Sequence, residues 1–159
     1  MEINQPAAKF QDMSIAPMHT AEHLLNQTLF RMFGCERSRN AHIERKKSKI
    51  SWPLSESPTE KQVQEIEHRI NELIAAALPV TYEFCTYNQL PPEVDTGKLP
   101  ENASEMVRLV RIGDYDVCAC IGTHVNNTRE IGEFKINSWR YQDGVFRIVF
   151  KVMSSSVSS

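Results

Sequence analysis

Apolar residues fall on two helical stripes and several alternating runs along the chain. The segment 17–34 opens on Pro17 and closes on Gly34, a proline at a helix start and a glycine just past its end, and predicts a first helix. On a helical wheel Met18, Ala21, Leu25, Leu29 and Met32 share one side, while His19, His23, Asn26 and Phe30 lie nearly opposite. A second stripe of Val63, Ile66, Ile70, Leu73, Ile74 and Ala77 runs to Pro79 and predicts an amphipathic helix lying on a core. Before it, Ser57-Pro58-Thr59-Glu60 supplies an N-cap at Ser57, a proline at the first helical position and a capping-box glutamate.

The remaining runs read as strands. Residues 106–112 and 115–120 flank the turn Gly113-Asp114, and 134–141 and 145–152 flank Asp143-Gly144, so both pairs are expected as antiparallel hairpins. Residues 80–87 read as a further strand, and 41–52 as a hairpin whose charged tip leaves the register open. The loop 88–104 holds three prolines and a glycine and is a candidate lid. Helices set against antiparallel hairpins predict an α+β fold, antiparallel sheets packed with two main helices. One domain is expected over 1–153, followed by a disordered Ser-rich tail at 154–159.

A chain of 159 residues with 41% hydrophobic and 24% charged residues suits one globular domain. Its net charge of -2 excludes a protein that grips nucleic acid by overall charge, so function must come from a local site. No window approaches a membrane span, and the start Met-Glu-Ile-Asn-Gln lacks the features of a signal peptide; a cytoplasmic protein is expected. In that reducing setting the cysteines at 35, 85, 118 and 120 are candidates for burial or metal binding rather than disulfides.

Three of the five histidines stand in two short clusters, His19-Thr20-Ala21-Glu22-His23 and Cys120-Ile121-Gly122-Thr123-His124. Histidines four apart on a helix project from one face, and a Cys/His pair from a strand end could complete a tetrahedral metal site. Each pair alone also reads as ordinary surface or core residues, and Cys118, on the same strand face as Cys120, is a possible substitute ligand. Glu22 stands before the second histidine rather than after the first, and is expected to point away from the histidine face, which argues against a zincin protease. Thr20 and Thr123, beside the ligands, are the hydroxyls expected to contact substrate or water, or else to support the ligands or cap the chain, with Asn26 a weaker candidate open to the same two readings. His42 and His68 look ordinary, His68 on the polar side of its helix, while His42 starts a hairpin that could line the site. Arg37, Arg39, Arg45, Lys46, Lys47 and Lys49 place six basic residues in thirteen, a candidate phosphate-binding edge or a solvated hairpin tip.

The stretch from His19 to Asn26 (His-Thr-Ala-Glu-His-Leu-Leu-Asn) and that from Cys120 to Gly132 (Cys-Ile-Gly-Thr-His-Val-Asn-Asn-Thr-Arg-Glu-Ile-Gly) resemble the second additional domain of alanyl- and threonyl-tRNA synthetases and of the free-standing alanyl-tRNA editing proteins. Arg111-Ile112-Gly113-Asp114-Tyr115 and Phe134-Lys135-Ile136 extend the resemblance, which covers most of 17–152. It implies zinc on His19, His23, Cys120 and His124, and hydrolysis of a mischarged aminoacyl-tRNA, typically serine or glycine on the alanine tRNA. The implied partner is the tRNA acceptor end, with neither DNA nor a membrane. With no Gly-rich phosphate loop and a chain too short for an aminoacylation core, editing in trans is expected. Arg129 stands where the family commonly has a small residue, which bears on substrate or tRNA preference. A zinc hydrolase for threonine tRNA or another ester, and a non-catalytic zinc-stabilised RNA-binding module, are the competing readings.

Overall fold

The computed structural model describes residues 13–92, 94 and 106–153. Most of the candidate lid and the Ser-rich tail lie outside those residues. Among the described residues two α-helices, α1 (Ala16–Phe33) and α2 (Glu60–Ala75), accompany seven strands. Four of these, β1 (Asn40–His42), β2 (Ser48–Pro53), β6 (Glu133–Gln142) and β7 (Val145–Met153), form a sheet in the order β1-β2-β7-β6. The other three, β3 (Val80–Thr86), β4 (Met106–Ile112) and β5 (Asp116–Ala119), form a second sheet in that order. Every pairing is antiparallel, as the α+β reading expects. Among the described residues no helix is long and apolar enough to cross a membrane.

Turn chemistry sets the registers. Asp143 and Gly144 both adopt positive φ, 55° and 76°, the turn whose twist matches a two-residue hairpin, and this aligns Gln142 with Val145. In the second sheet the turn after Ile112 pairs it with Asp116, Val110 with Cys118 and Leu109 with Ala119. The β1–β2 hairpin forms with its charged tip exposed, and β2 continues onto β7, pairing Ile50 with Ile148 and Trp52 with Phe146.

The cap of α2 acts two residues later than the pattern predicts. Thr59, not Ser57, is the N-cap: its hydroxyl accepts from Gln62 N at 3.1 Å, and Gln62 Oε1 accepts from Thr59 N at 2.9 Å. Gln62 closes the capping box because it is the third helical residue once Thr59 is the cap, leaving Glu60 in the first turn, where its charge complements the helix dipole. Val63, Ile66, Ile70 and Ile74 are buried, and the helix ends before Ala77, whose φ of 56° turns the chain toward β3.

Helix α1 departs further from a surface amphipathic helix. Its apolar side packs in the main core with Trp52, Phe134, Phe146 and Phe150. The opposite side is covered too, because α1 also contacts β5. His19, Glu22, His23 and Asn26 are consequently all buried. Asn26 is structural: its Oδ1 accepts from Ser38 N at 2.7 Å and from Trp52 Nε1 at 2.9 Å, tying α1 to the β1–β2 region.

Candidate metal centre

The two clusters separated by about a hundred residues meet where α1 crosses the end of β5. One nitrogen or sulfur from each of His19, His23, Cys120 and His124 lies within 4.8 Å of all the others. The imidazole centroids are 4.3 Å apart for His19 and His124, 4.4 Å for His23 and His124, and 5.2 Å for His19 and His23. Cys118 is buried one step back along β5 and does not join this group.

Hydrogen bonding determines which way the rings face. Thr20 has one hydroxyl proton, and it goes to Ala16 O at 2.9 Å. The 3.0 Å contact between Thr20 Oγ1 and His124 Nδ1 must then be donated by the ring, which leaves the Nε2 lone pair for the cluster. His19 Nδ1 faces a carbonyl, Thr123 O, at 3.1 Å; a carbonyl only accepts, so Nδ1 carries the proton and Nε2, 3.5 Å from Cys120 Sγ, carries the lone pair. His23 Nδ1 lies 3.6 Å from Asp116 Oδ2, one short movement from the same arrangement. Buried imidazoles with one nitrogen held by an oxygen and the other turned to a common centre have the arrangement of metal ligands. His124 Nε2, the nitrogen turned to that centre, is a buried atom with no hydrogen-bond partner, which a polar interior seldom leaves unsatisfied. Three nitrogens and a sulfur stand around one point, and the His124 Nε2 among them is unpaired: the residues fit a metal cation.

The electrostatics of Cys120 and His124 suit a metal site. Burial disfavours the Cys120 thiolate, yet His23 beside it and hydrogen bonds from His124, His19 and His23 hold its pKa well below the usual thiol value. Burial, reinforced by the neighbouring His23, lowers the His124 pKa to about 3, keeping that ring neutral. Thiolate and neutral imidazole are the forms that bind metal; His23 differs, because burial lowers its pKa but Cys118, Cys120 and Asp116 beside it raise it to about 10, so that ring would release a proton on binding.

Several supporting residues are not singled out by the sequence motifs. Asp116 accepts from Arg37 Nη1 at 2.8 Å and Nη2 at 3.2 Å and from Gln27 Nε2 at 2.9 Å. Burial opposes its charge, but His23 and Arg37 hold its carboxyl far below the ordinary range. A signal existed: 116, 118 and 120 share one strand face. Arg108 grips the ligand turn: its backbone carbonyl accepts from Cys120 N at 3.1 Å, its Nε donates to Cys120 O at 2.8 Å and its Nη2 donates to Gly122 O, while the guanidinium lies 4.6 Å from the centroid of the Tyr82 ring. One more step of the β4–β5 register puts Arg108 opposite Cys120, so the turn alone could have found it. Gly122 is required by space, since a Cβ there would stand 2.1 Å from His19 Cε1.

Other expectations are corrected. Glu22 does not point away: it is buried, with Oε1 3.7 Å from His19 Nε2, because β5 covers the helix face it shares. Thr20 is fully buried behind His124, and its hydroxyl also accepts from Val125 N at 3.2 Å, a position that suits a group supporting that ring; Thr123 is half-buried. The six basic residues divide. Arg37, with a side chain only 13% exposed, is committed to Asp116, whereas Arg39, Arg45, Lys46, Lys47 and Lys49 are exposed. His42 pairs with Glu44 and His68 with Glu72, both exposed, as expected of ordinary histidines.

Residues 107–149 match the family described as the threonyl and alanyl tRNA synthetase second additional domain. An alanine-tRNA ligase of Halorubrum lacusprofundi is 35% identical over 147 residues, covering 89% of this chain and 16% of that protein. That of Methanococcus vannielii is 32% identical over 146 residues, 87% of this chain and 16% of the relative. That of Caldicellulosiruptor saccharolyticus is 35% identical over 121 residues, 76% and 14%. The chain therefore spans about one seventh of the length of these curated relatives. With the fold and both motif clusters accounted for, the chain belongs to the family of the threonyl and alanyl tRNA synthetase second additional domain.

Proposed function

We propose that the chain is a zinc-dependent hydrolase that removes a wrongly attached amino acid from tRNA, with serine or glycine on the alanine acceptor as preferred substrates. The observation that carries this reading is the set of three nitrogens and one sulfur offered by His19, His23, His124 and Cys120, in a chain related to alanine-tRNA ligases. That donor set suits zinc at ~2.0–2.3 Å per ligand. When bound, zinc supplies a Lewis acid that polarises an ester carbonyl or anchors the substrate's amino group. The chain's own residues do the rest. Thr20, the Thr123 carbonyl and Asp116 hold the three imidazoles, and Arg37 holds Asp116. The histidines are 3–6% exposed while Cys120 and Thr123 are only half-buried, so the ester approaches from that side, where the Thr123 hydroxyl can orient it or the attacking water.

One observation favours a second reading. Four protein ligands make a closed site of the structural kind, which suits a zinc-stabilised RNA-binding module without catalysis. The two separate by turnover. Zinc-loaded protein is incubated with seryl- and alanyl-tRNA of the alanine acceptor, with Cys120→Ala as control. Loss of serine above the control with alanine spared supports the hydrolase; tRNA binding without ester loss replaces it by the module.

A further inference from the structure

The outward face of the four-stranded sheet takes no part in the metal centre. Its inward face carries Trp52, Phe146 and Phe150, which share the main core with Leu25 and Leu29 of α1, so the helix stands between this sheet and the buried histidines. The register decides what points outward. β7 presents Val145, Arg147, Val149, Lys151 and Met153, an unbroken alternation of apolar and cationic side chains. Arg140 of β6 stands directly opposite Arg147 and Lys135 directly opposite Lys151, while Lys49 of β2 flanks Val149.

This arrangement works against the fold, because like charges directly opposite in an antiparallel pair repel across ~5 Å. A solvated sheet face needs polar side chains, not cations of one sign. The outward positions of β2, β6 and β7 include one acid, Glu133, beside Met153 at the end of the sheet. Among the described residues none of the five cations forms an ion pair. The whole chain carries a net charge of -2, so the positive face is a local segregation of charge. Between the cations, Val145 and Met153 are 37% and 40% exposed and Val149 is half-buried. From Arg147 to Lys151 the face runs ~13 Å along β7, and from β2 to β6 it runs ~10 Å across.

A ligand for this face must bring anions and apolar side chains together. The phosphates of a nucleic acid would meet the cations but leave Val145, Val149 and Met153 unmatched, and no aromatic side chain points outward from these strands to stack on a base. A protein surface supplies both. We propose that this face docks an acidic amphipathic segment of another protein, with carboxylates on Arg140, Arg147, Lys135 and Lys151 and apolar side chains on Val145, Val149 and Met153. Docking there relieves the repulsion between the opposed cations. With α1 between, it leaves the half-buried side of the metal centre, at Cys120 and Thr123, uncovered, and it requires nothing of the chemistry at that centre.

Fluorescence anisotropy of the full chain with a labelled peptide of Glu-Ser-Leu-Ser repeats tests it, since in extended form that peptide sets Glu and Leu alternately along one face. A peptide of Glu-Ser-Ser-Ser repeats, equal in charge, should bind at least about tenfold more weakly. Arg140→Gln/Arg147→Gln and Lys135→Gln/Lys151→Gln should each weaken binding of the leucine peptide about twofold to thirtyfold. Because each removes an opposed pair, neither should lower the midpoint of urea unfolding. Val145→Ser/Met153→Ser, at exposed positions, should weaken the leucine peptide and spare the serine one. Lys61→Gln/Arg129→Gln, exposed elsewhere, should bind as the unaltered protein does. Equal binding of the two peptides, unaltered affinity in the face variants, or no binding by the unaltered protein overturns the proposal. Tighter binding of an RNA hairpin or of phosphatidylserine vesicles through the same cations overturns it too and assigns the face to that partner.

Discussion

Replacing Gly122 by alanine tests the centre through space alone, without touching a ligand. The new Cβ would lie 2.1 Å from His19 Cε1, 2.6 Å from Nδ1 and 3.3 Å from Nε2. Carbon atoms settle at ~3.5 Å or more, so ring and backbone must part by about 1.4 Å. If the ring moves, its 3.1 Å bond to Thr123 O breaks and Nε2 leaves the cluster. If the backbone moves, the Arg108 contacts to Cys120 O and Gly122 O and the 3.4 Å contact from Gly122 N to Cys120 Sγ go with it. Metal-ligand distances tolerate only ~0.2 Å, so either route displaces a ligand. Overpacking should destabilise the fold by about 1–3 kcal/mol. Zinc affinity should fall by more than the roughly 10–100-fold that follows loss of a residue holding a ligand from behind. Competition with a chromogenic chelator measures the affinity, and denaturation in urea the stability. Gly34→Ala is the control: nothing lies within 4 Å, but its φ of 73° makes it cost about 1–2 kcal/mol without touching the metal. Stoichiometric, unweakened zinc binding by Gly122→Ala would refute the geometry.

Asp116→Asn leaves the Arg37 guanidinium, 13% exposed, without its counter-charge and should cost about 3–5 kcal/mol, part of it recovered by adding Arg37→Met; an unchanged urea midpoint contradicts this. Thr20→Val removes the acceptor of both His124 Nδ1 and Val125 N, and should cost about 1–3 kcal/mol and lower zinc affinity about 10–100-fold by the same chelator assay. In zinc-stripped protein, folded His124 resists protonation down to about pH 3 while the unfolded ring takes a proton near its ordinary 6.5. The unfolded state therefore binds more protons between those values, and stability should fall as the pH drops from 6.5 toward 3; a flat denaturation midpoint across that window, or one that rises on acidification, would contradict the sign.

Periodicity and turn chemistry made the elements legible from the chain alone. The stripe from Val63 to Ile74, the Asp143-Gly144 hairpin and the glycine after α1 each carry their own local cause, so their positions needed no tertiary contact. The grouping of His19, His23, Cys120 and His124 was also foreseeable, because four-residue spacing on a helix and a Cys/His pair at a strand end orient donors locally. What local pattern cannot carry is which face a third element covers. A helix side bearing His19, Glu22, His23 and Asn26 reads as polar until β5 lies across it, and that burial brings Glu22 to His19 and draws Arg37 onto Asp116. The roles of Thr20, Arg108 and Gly122 likewise exist only where two segments about a hundred residues apart, or two neighbouring strands, come within hydrogen-bond or van der Waals distance. Charge pairing, tautomer and steric clearance act through space over a few ångströms, and only the tertiary structure decides which residues stand that close.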